Sequence, residues 1–142
     1  MCLYIKKNTD ANIAEKDILV FKCLDYRCGE YATSFRYYPI RFDSGNKTEL
    51  SAEIQKGDKQ YVDGEYFDTI LAGIHAYRNL GYATLIAYSY NMLFNTNVHY
   101  AIIPKGTKYY IGEHEDIVAE RMIIFKNKKD YFKNLEEKLV EL

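Results

Sequence analysis

"AGIHAYRNLGYATLIAYS", residues 72–89, decides how the chain is read, because its apolar spacing changes period within a few residues. "ILAGIHAY" (70–77) is a short apolar run of strand type, and Gly73 marks where that strand begins or kinks. Beyond Arg78 the spacing becomes helical: Leu80, Ala83, Ile86 with Ala87, Tyr90, and Leu93 with Phe94 recur every three to four residues. Asn79 suits an N-cap, since its short side-chain oxygen can accept a first-turn amide, and "NTN" (95–97) suits a stop. The spacing predicts a strand followed by a helix over 79–94.

On the N-terminal side, "CLYI" (2–5) reads as a short strand. "DILVFKCLDY" (17–26) is β-branched and apolar in its middle, long enough for a central strand. "TSFRYYPIRF" (33–42) contains Pro39, which lacks an amide donor and so belongs at a sheet edge or a bulge. Residues 48–69 are mostly surface, with short strands around Leu50–Ile54 and Gln60–Val62. On the C-terminal side, "VHYAIIP" (98–104), "KYYIG" (108–112) and "IVAERMIIF" (117–125) each read as one strand. "PKGT" (104–107) reads as a hairpin turn. "NKKDYFKNLEEKLVEL" places Tyr131, Phe132, Leu135, Leu139 and Leu142 on one face, an amphipathic helix over about 128–141 capped by Asn127 or Asp130. No repeat or linker divides the chain. The expectation is a single α+β domain over 1–142, mostly antiparallel sheet with a mid-chain and a C-terminal helix.

Composition narrows the function classes. A net charge of −1 over 142 residues argues against nucleic-acid binding through bulk charge, which needs a basic surface. No apolar run reaches the ~20 residues of a membrane span, and the start lacks the layout of a secretory signal. Cys2, Cys23 and Cys28 show no disulfide-framework spacing, so the expected compartment is the reducing cytoplasm. Fifteen tyrosines suit both half-buried strands and binding surfaces.

The candidate sites follow from this inventory. Cys23 and Cys28 form one loose pair, whereas zinc needs four converging ligands, so no metal and no cofactor is expected. "GEHED" (112–116) gathers carboxylates around His114, as a solvated turn also does. His75 and Tyr77 share a face of an extended strand and, with His99 in a neighbouring strand, are candidate ligand-binding residues. They could equally be structural. Arg27, Tyr31, Arg36 and Tyr38 make a Tyr/Arg-rich edge of the kind found at protein recognition surfaces. The leading expectation is a small, non-enzymatic binding or accessory domain. Its partner would be another protein or a small nucleotide-like ligand, and the terminal helix offers a route to a homodimer.

The order "GIHAY", an Ala-rich helix, "VHYAIIPKGTKYYIG" and "DIVAERMIIF" resembles uncharacterised small bacterial and phage domains, including some found beside pentapeptide repeats. That resemblance implies a fold unit associated with phages or mobile elements, and no activity. "GIHAY", "YATLIAYSY", "VHYAIIPKG" and "EDIVAERMII" also show a looser similarity to the ADP-ribosyltransferase fold. On that similarity Tyr88 or Tyr90 would stack nicotinamide and Glu115 or Glu120 would orient the ribose. The first-strand stretch "DILVFKCLDYR" departs from that family's pattern, having no histidine followed by a small hydroxyl residue.

Overall fold

The computed structural model describes residues 3–6, 10–33 and 38–140. In chain order the elements are β1 (Leu3–Lys6), β2 (Asn12–Ile13), β3 (Ile18–Arg27), β4 (Glu30–Thr33), β5 (Pro39–Ile40), β6 (Lys47–Ser51), β7 (Gln55–Lys56), β8 (Gln60–Val62), β9 (Glu65–Ala72) and β10 (Ile74–Tyr77). Then follow α1 (Leu80–Phe94), β11 (Thr96–Ile103), β12 (Lys108–Ile111), β13 (Asp116–Ala119), β14 (Arg121–Phe125) and α2 (Lys128–Val140). The fold is α+β with antiparallel pairing, as the spacing predicts. Both helix starts are capped where expected. The Tyr82 amide donates to Asn79 Oδ1 at 3.0 Å. At α2 the Asn127 amide donates to Asp130 Oδ2 at 3.1 Å, while the Asp130 amide donates to the Asn127 carbonyl at 3.0 Å. This reciprocal pair satisfies two amides that a helix start would otherwise leave open.

The main sheet runs β2-β12-β13-β10-β3-β11-β14-β6, with β4 and β5 added beside β3. The apolar stretch 17–26 forms its central strand, and Pro39 lies in β5, which pairs only with β4 in that sheet. "IVAERMIIF" is not one strand. It breaks at Glu120 into β13 and β14, which lie four steps apart in the order. Four steps of ~4.8 Å would separate them by about 19 Å in a flat sheet. Ala119 and Arg121, joined through a single residue, can be no more than roughly 7 Å apart. The sheet therefore curls until its ends meet. Glu120 closes it: its amide donates to the Lys108 carbonyl beside β12, its carbonyl accepts from Ala52 after β6, and its carboxylate accepts from the Ile54 amide at 3.0 Å.

"PKGT" is likewise a crossover and not a hairpin, since β11 and β12 do not pair and the turn carries the chain across the curl. Its turn is closed by the Thr107 amide on the Pro104 carbonyl, with Gly106 at a φ of 87°. Inside the curl, Val20, Leu24, Ile74, Ala76, Ala101, Ile103, Ile117, Ala119, Met122 and Ile124 form one buried cluster.

A second sheet, of β1, β7, β8 and β9, packs outside through Ile70 on Val118 and Tyr110. Residues 65–72 are thus a full strand in a sheet of their own. Gly73 does not kink a continuous strand; it separates β9 from β10, which belong to different sheets. Its φ of 135° lies where side chains are strained, and a Cβ there would sit 2.5 Å from Val118 Cγ2. Gly64, at a φ of 84°, has nothing within 4 Å of such a Cβ. Gly73→Ala is expected to lower unfolding stability by roughly 2–4 kcal/mol, strain and overpacking together, against about 1 kcal/mol for Gly64→Ala. Urea midpoints of the two variants check this, and equal losses would show that the Val118 contact does not matter.

Candidate functional site

Alternation along the strands sorts the proposed ligand residues onto two faces. His75 and Tyr77 do share a face, the convex one. Tyr77 is buried beneath α1 with Phe21, Cys23, Ala83 and Ala87. His75, half-buried, lies opposite Val118 at the seam where the helices give way to the second sheet. His99 stands opposite Lys22, on the concave face. It is buried, with Nδ1 3.1 Å from the Phe125 carbonyl, and its ring packs between Tyr31 and Phe42. Burial holds its pKa below the usual imidazole range, which keeps the ring neutral. The sheet stands between His99 and the other two residues, so the three do not form one pocket.

The Tyr/Arg edge is only partly a surface. Tyr31 turns inward to His99 and Phe42, while Tyr38 is well exposed. Arg27 lies 3.6 Å from the buried Asp25 carboxylate, which also accepts a hydrogen bond from Thr96 Oγ1 at 2.6 Å. Arg36 and Cys2 lie outside the described residues. The residues named through the transferase similarity fall at separate places. Tyr88 projects from α1 into solvent, Glu115 faces Arg78 at 3.8 Å, and Glu120 is the closure residue of the sheet. The side chain of Tyr90 is not among those described. The sulfur of Cys23 faces the Ala83 carbonyl at 3.5 Å, and Cys28 is exposed in the β3–β4 turn. No group of three or more His, Cys, Asp or Glu able to hold a metal ion occurs among the described residues.

Two features stand out that the sequence reading did not single out. The first is Lys22, buried in the middle of β3. Because β11 pairs with β3 from Ile18 to Asp25, β10 (at Phe21) and β4 (from Leu24) must share the opposite edge. They fork at Lys22 and Cys23. In that fork the Lys22 ammonium donates to the His75 carbonyl at 2.6 Å. Burial pushes its pKa down to about 8. A lysine inside "ILVFKCL" was the available signal.

The second is the helical layer on the convex face. Residues 79–104 contain no Asp, Glu, Lys or Arg, in a chain that is 27% charged. Within this stretch α1 seats Ala83 and Ala87 on the sheet, with Tyr82 and Ile86 packed beside them, and turns Leu85 and Tyr88 outward, 66% and 76% exposed. Tyr82 leans on Tyr77 of β10, so helical geometry puts Leu80, Thr84 and Tyr88 on the opposite flank, toward α2. Among the described side chains of α2 only Tyr131 is buried; Phe132, Leu135 and Leu139 are all more than a third exposed, and Phe132 leans over Tyr100 of β11 at 6.1 Å. The end of α2 is pinned by the Lys138–Asp17 ion pair. Each helix thus leaves large apolar side chains in solvent. No described helix is long and apolar enough to cross a membrane. No family model, curated protein or solved structure matches the chain.

The Lys22 fork has a pH signature. Below pH 8 the amine is charged in the folded and the unfolded chain, and the full burial penalty applies. Between about 8 and the ordinary 10.5, the folded chain has released the proton and the unfolded chain still holds it. Stability should therefore rise with pH through this window, by up to roughly 3 kcal/mol for a fully buried amine. Cys23, its thiol pushed up to about 11 by burial, works in the opposite direction above pH 9. The readout is thus the difference between the wild type and Lys22→Met in denaturant titrations at pH 7.5 to 9.5. The variant should lose the rise; a rise of equal size in both proteins would refute the assignment.

Proposed function

We propose that the chain is a binding module without catalytic chemistry, an assembly domain whose docking face is the helical layer and whose occupant is a second copy of the same chain. The observation that carries this reading is that α1, whose inward side packs Ala83, Ala87, Tyr82 and Ile86 on the sheet, also holds Leu85 and Tyr88 in solvent. A helix that is apolar on both sides is a helix meant to be covered on both sides. The exposed parts of Leu80, Leu85, Tyr88, Phe132, Leu135 and Leu139 amount to roughly 600 Å² per protomer, close to the ~800 Å² per partner of a stable interface once a polar rim is added.

A second copy suits this face for an electrostatic reason. A two-fold interface sets each patch against itself, so a charged centre would meet its own charge, and α1 carries none. The thiols of Cys23 and Cys28, neither of them cross-linked, fit a reducing compartment such as the cytoplasm.

Sedimentation velocity of the purified chain at micromolar to several-hundred-micromolar concentration tests the reading. A concentration-dependent dimer is expected, weakened at least tenfold by Leu85→Lys or Tyr88→Lys with an unchanged far-ultraviolet circular dichroism spectrum. A monomer throughout this range, or a dimer indifferent to both substitutions, would overturn it.

A further inference from the structure

The charges of α2 specify how the two copies would be oriented, an inference that rests on the self-association reading above. On α2 the side facing the sheet is marked by Tyr131, with Asp130 and Asn134 partly buried beside it, and by Lys138 bound to Asp17. At 100° per residue the opposite, outward side carries Lys129, Lys133 and Glu136, all exposed. Along this side the charge is ordered: Lys129 and Lys133 fill the first half, Glu136 the second.

Two identical helices with this order have one favourable arrangement. Parallel packing sets lysines on lysines and glutamates on glutamates. Antiparallel packing sets the basic half of each helix on the acidic half of the other. Stacking one helical layer face to face on another, about a two-fold axis lying between the layers and perpendicular to the helices, produces this antiparallel contact. It places α1 on α1 and α2 on α2. The apolar flanks, Tyr88 and Leu85 from α1 with Phe132 and Leu139 from α2, then meet in the middle as the interior of a four-helix, two-layer core. Centring the α2 contact between its two charged halves brings Lys133 against Glu136 of the partner subunit, twice by symmetry.

We propose that the chain forms a face-to-face antiparallel dimer through its helical layer, with α1 at the apolar contact and Lys133 paired with the partner's Glu136 across the two-fold axis. Lys133 and Glu136 are exposed in the protomer, so changing them leaves its packing alone.

The test is a charge-swap cycle read by sedimentation equilibrium at low salt. Lys133→Glu and Glu136→Lys should each weaken the dimer about tenfold or more, because each sets like charges together at both symmetric contacts. The double variant Lys133→Glu/Glu136→Lys should restore wild-type affinity to within a few fold. If the single variants associate as the wild type does, or the double variant stays as weak as the singles, the orientation is wrong while self-association stands. If the wild type itself is monomeric at several hundred micromolar, both fall. Far-ultraviolet circular dichroism of each variant separates loss of association from loss of folding.

Discussion

The fold depends on one closure. Glu120 is a single residue between two strands that belong to opposite limbs of the sheet, and its backbone bonds to both limbs at once. Its amide reaches the β12 side, its carbonyl reaches the end of β6, and its carboxylate holds the next amide on the β6 side. Without that tie the sheet could open, and the concave cluster of Val20, Leu24, Ala101, Met122 and Ile124 would face water. Glu120 thus has a structural occupation that accounts for an acid in the middle of an apolar run.

Closure also assigns the two faces their roles. The concave side is filled by short and branched apolar side chains, with Phe42 and Leu50 packed against them. The convex side is shared between two helices and a small second sheet. There, among the described side chains, α1 meets the layer over β3 and β11 with Ala83 and Ala87, flanked by Tyr82 and Ile86, and α2 meets it with Tyr131.

Much of this architecture was legible in the residues. The period change at Arg78, the caps at Asn79 and Asn127, the central apolar strand and the edge proline are local signals, and each decided its element. What stayed hidden was set by distant partners. Residues 117–125 are uniformly strand-like, and nothing near Glu120 announces that its neighbours pair with different limbs. Residues 65–72 mix acids, aromatics and threonine because β9 is covered on only part of its length, which blurs its alternation. Tyr77 and His99 looked equivalent as strand residues near a helix, yet alternation and register place them on opposite sides of the sheet. Helical spacing places Ala83, Ile86 and Ala87 on the inward face of α1, where they lie, but it does not show how far Leu85 and Tyr88 stand out into solvent.

The pairing of β3 bears on the order in which the chain can acquire its structure. Its apolar stretch 18–24 is flanked on one edge by β11, which begins at Thr96, and on the other by β10 and β4. Only β4, a hairpin neighbour, is close in sequence, and it touches the end of β3 rather than its apolar middle. A ribosome must therefore make some eighty further residues before "ILVFKCL" can complete its ladder, and about twenty more before β14 covers β11. Until then this apolar segment is an unpaired edge. The basic side chain in its centre, Lys22, interrupts that segment while it waits. A residue that burdens the finished fold can thus protect the nascent one.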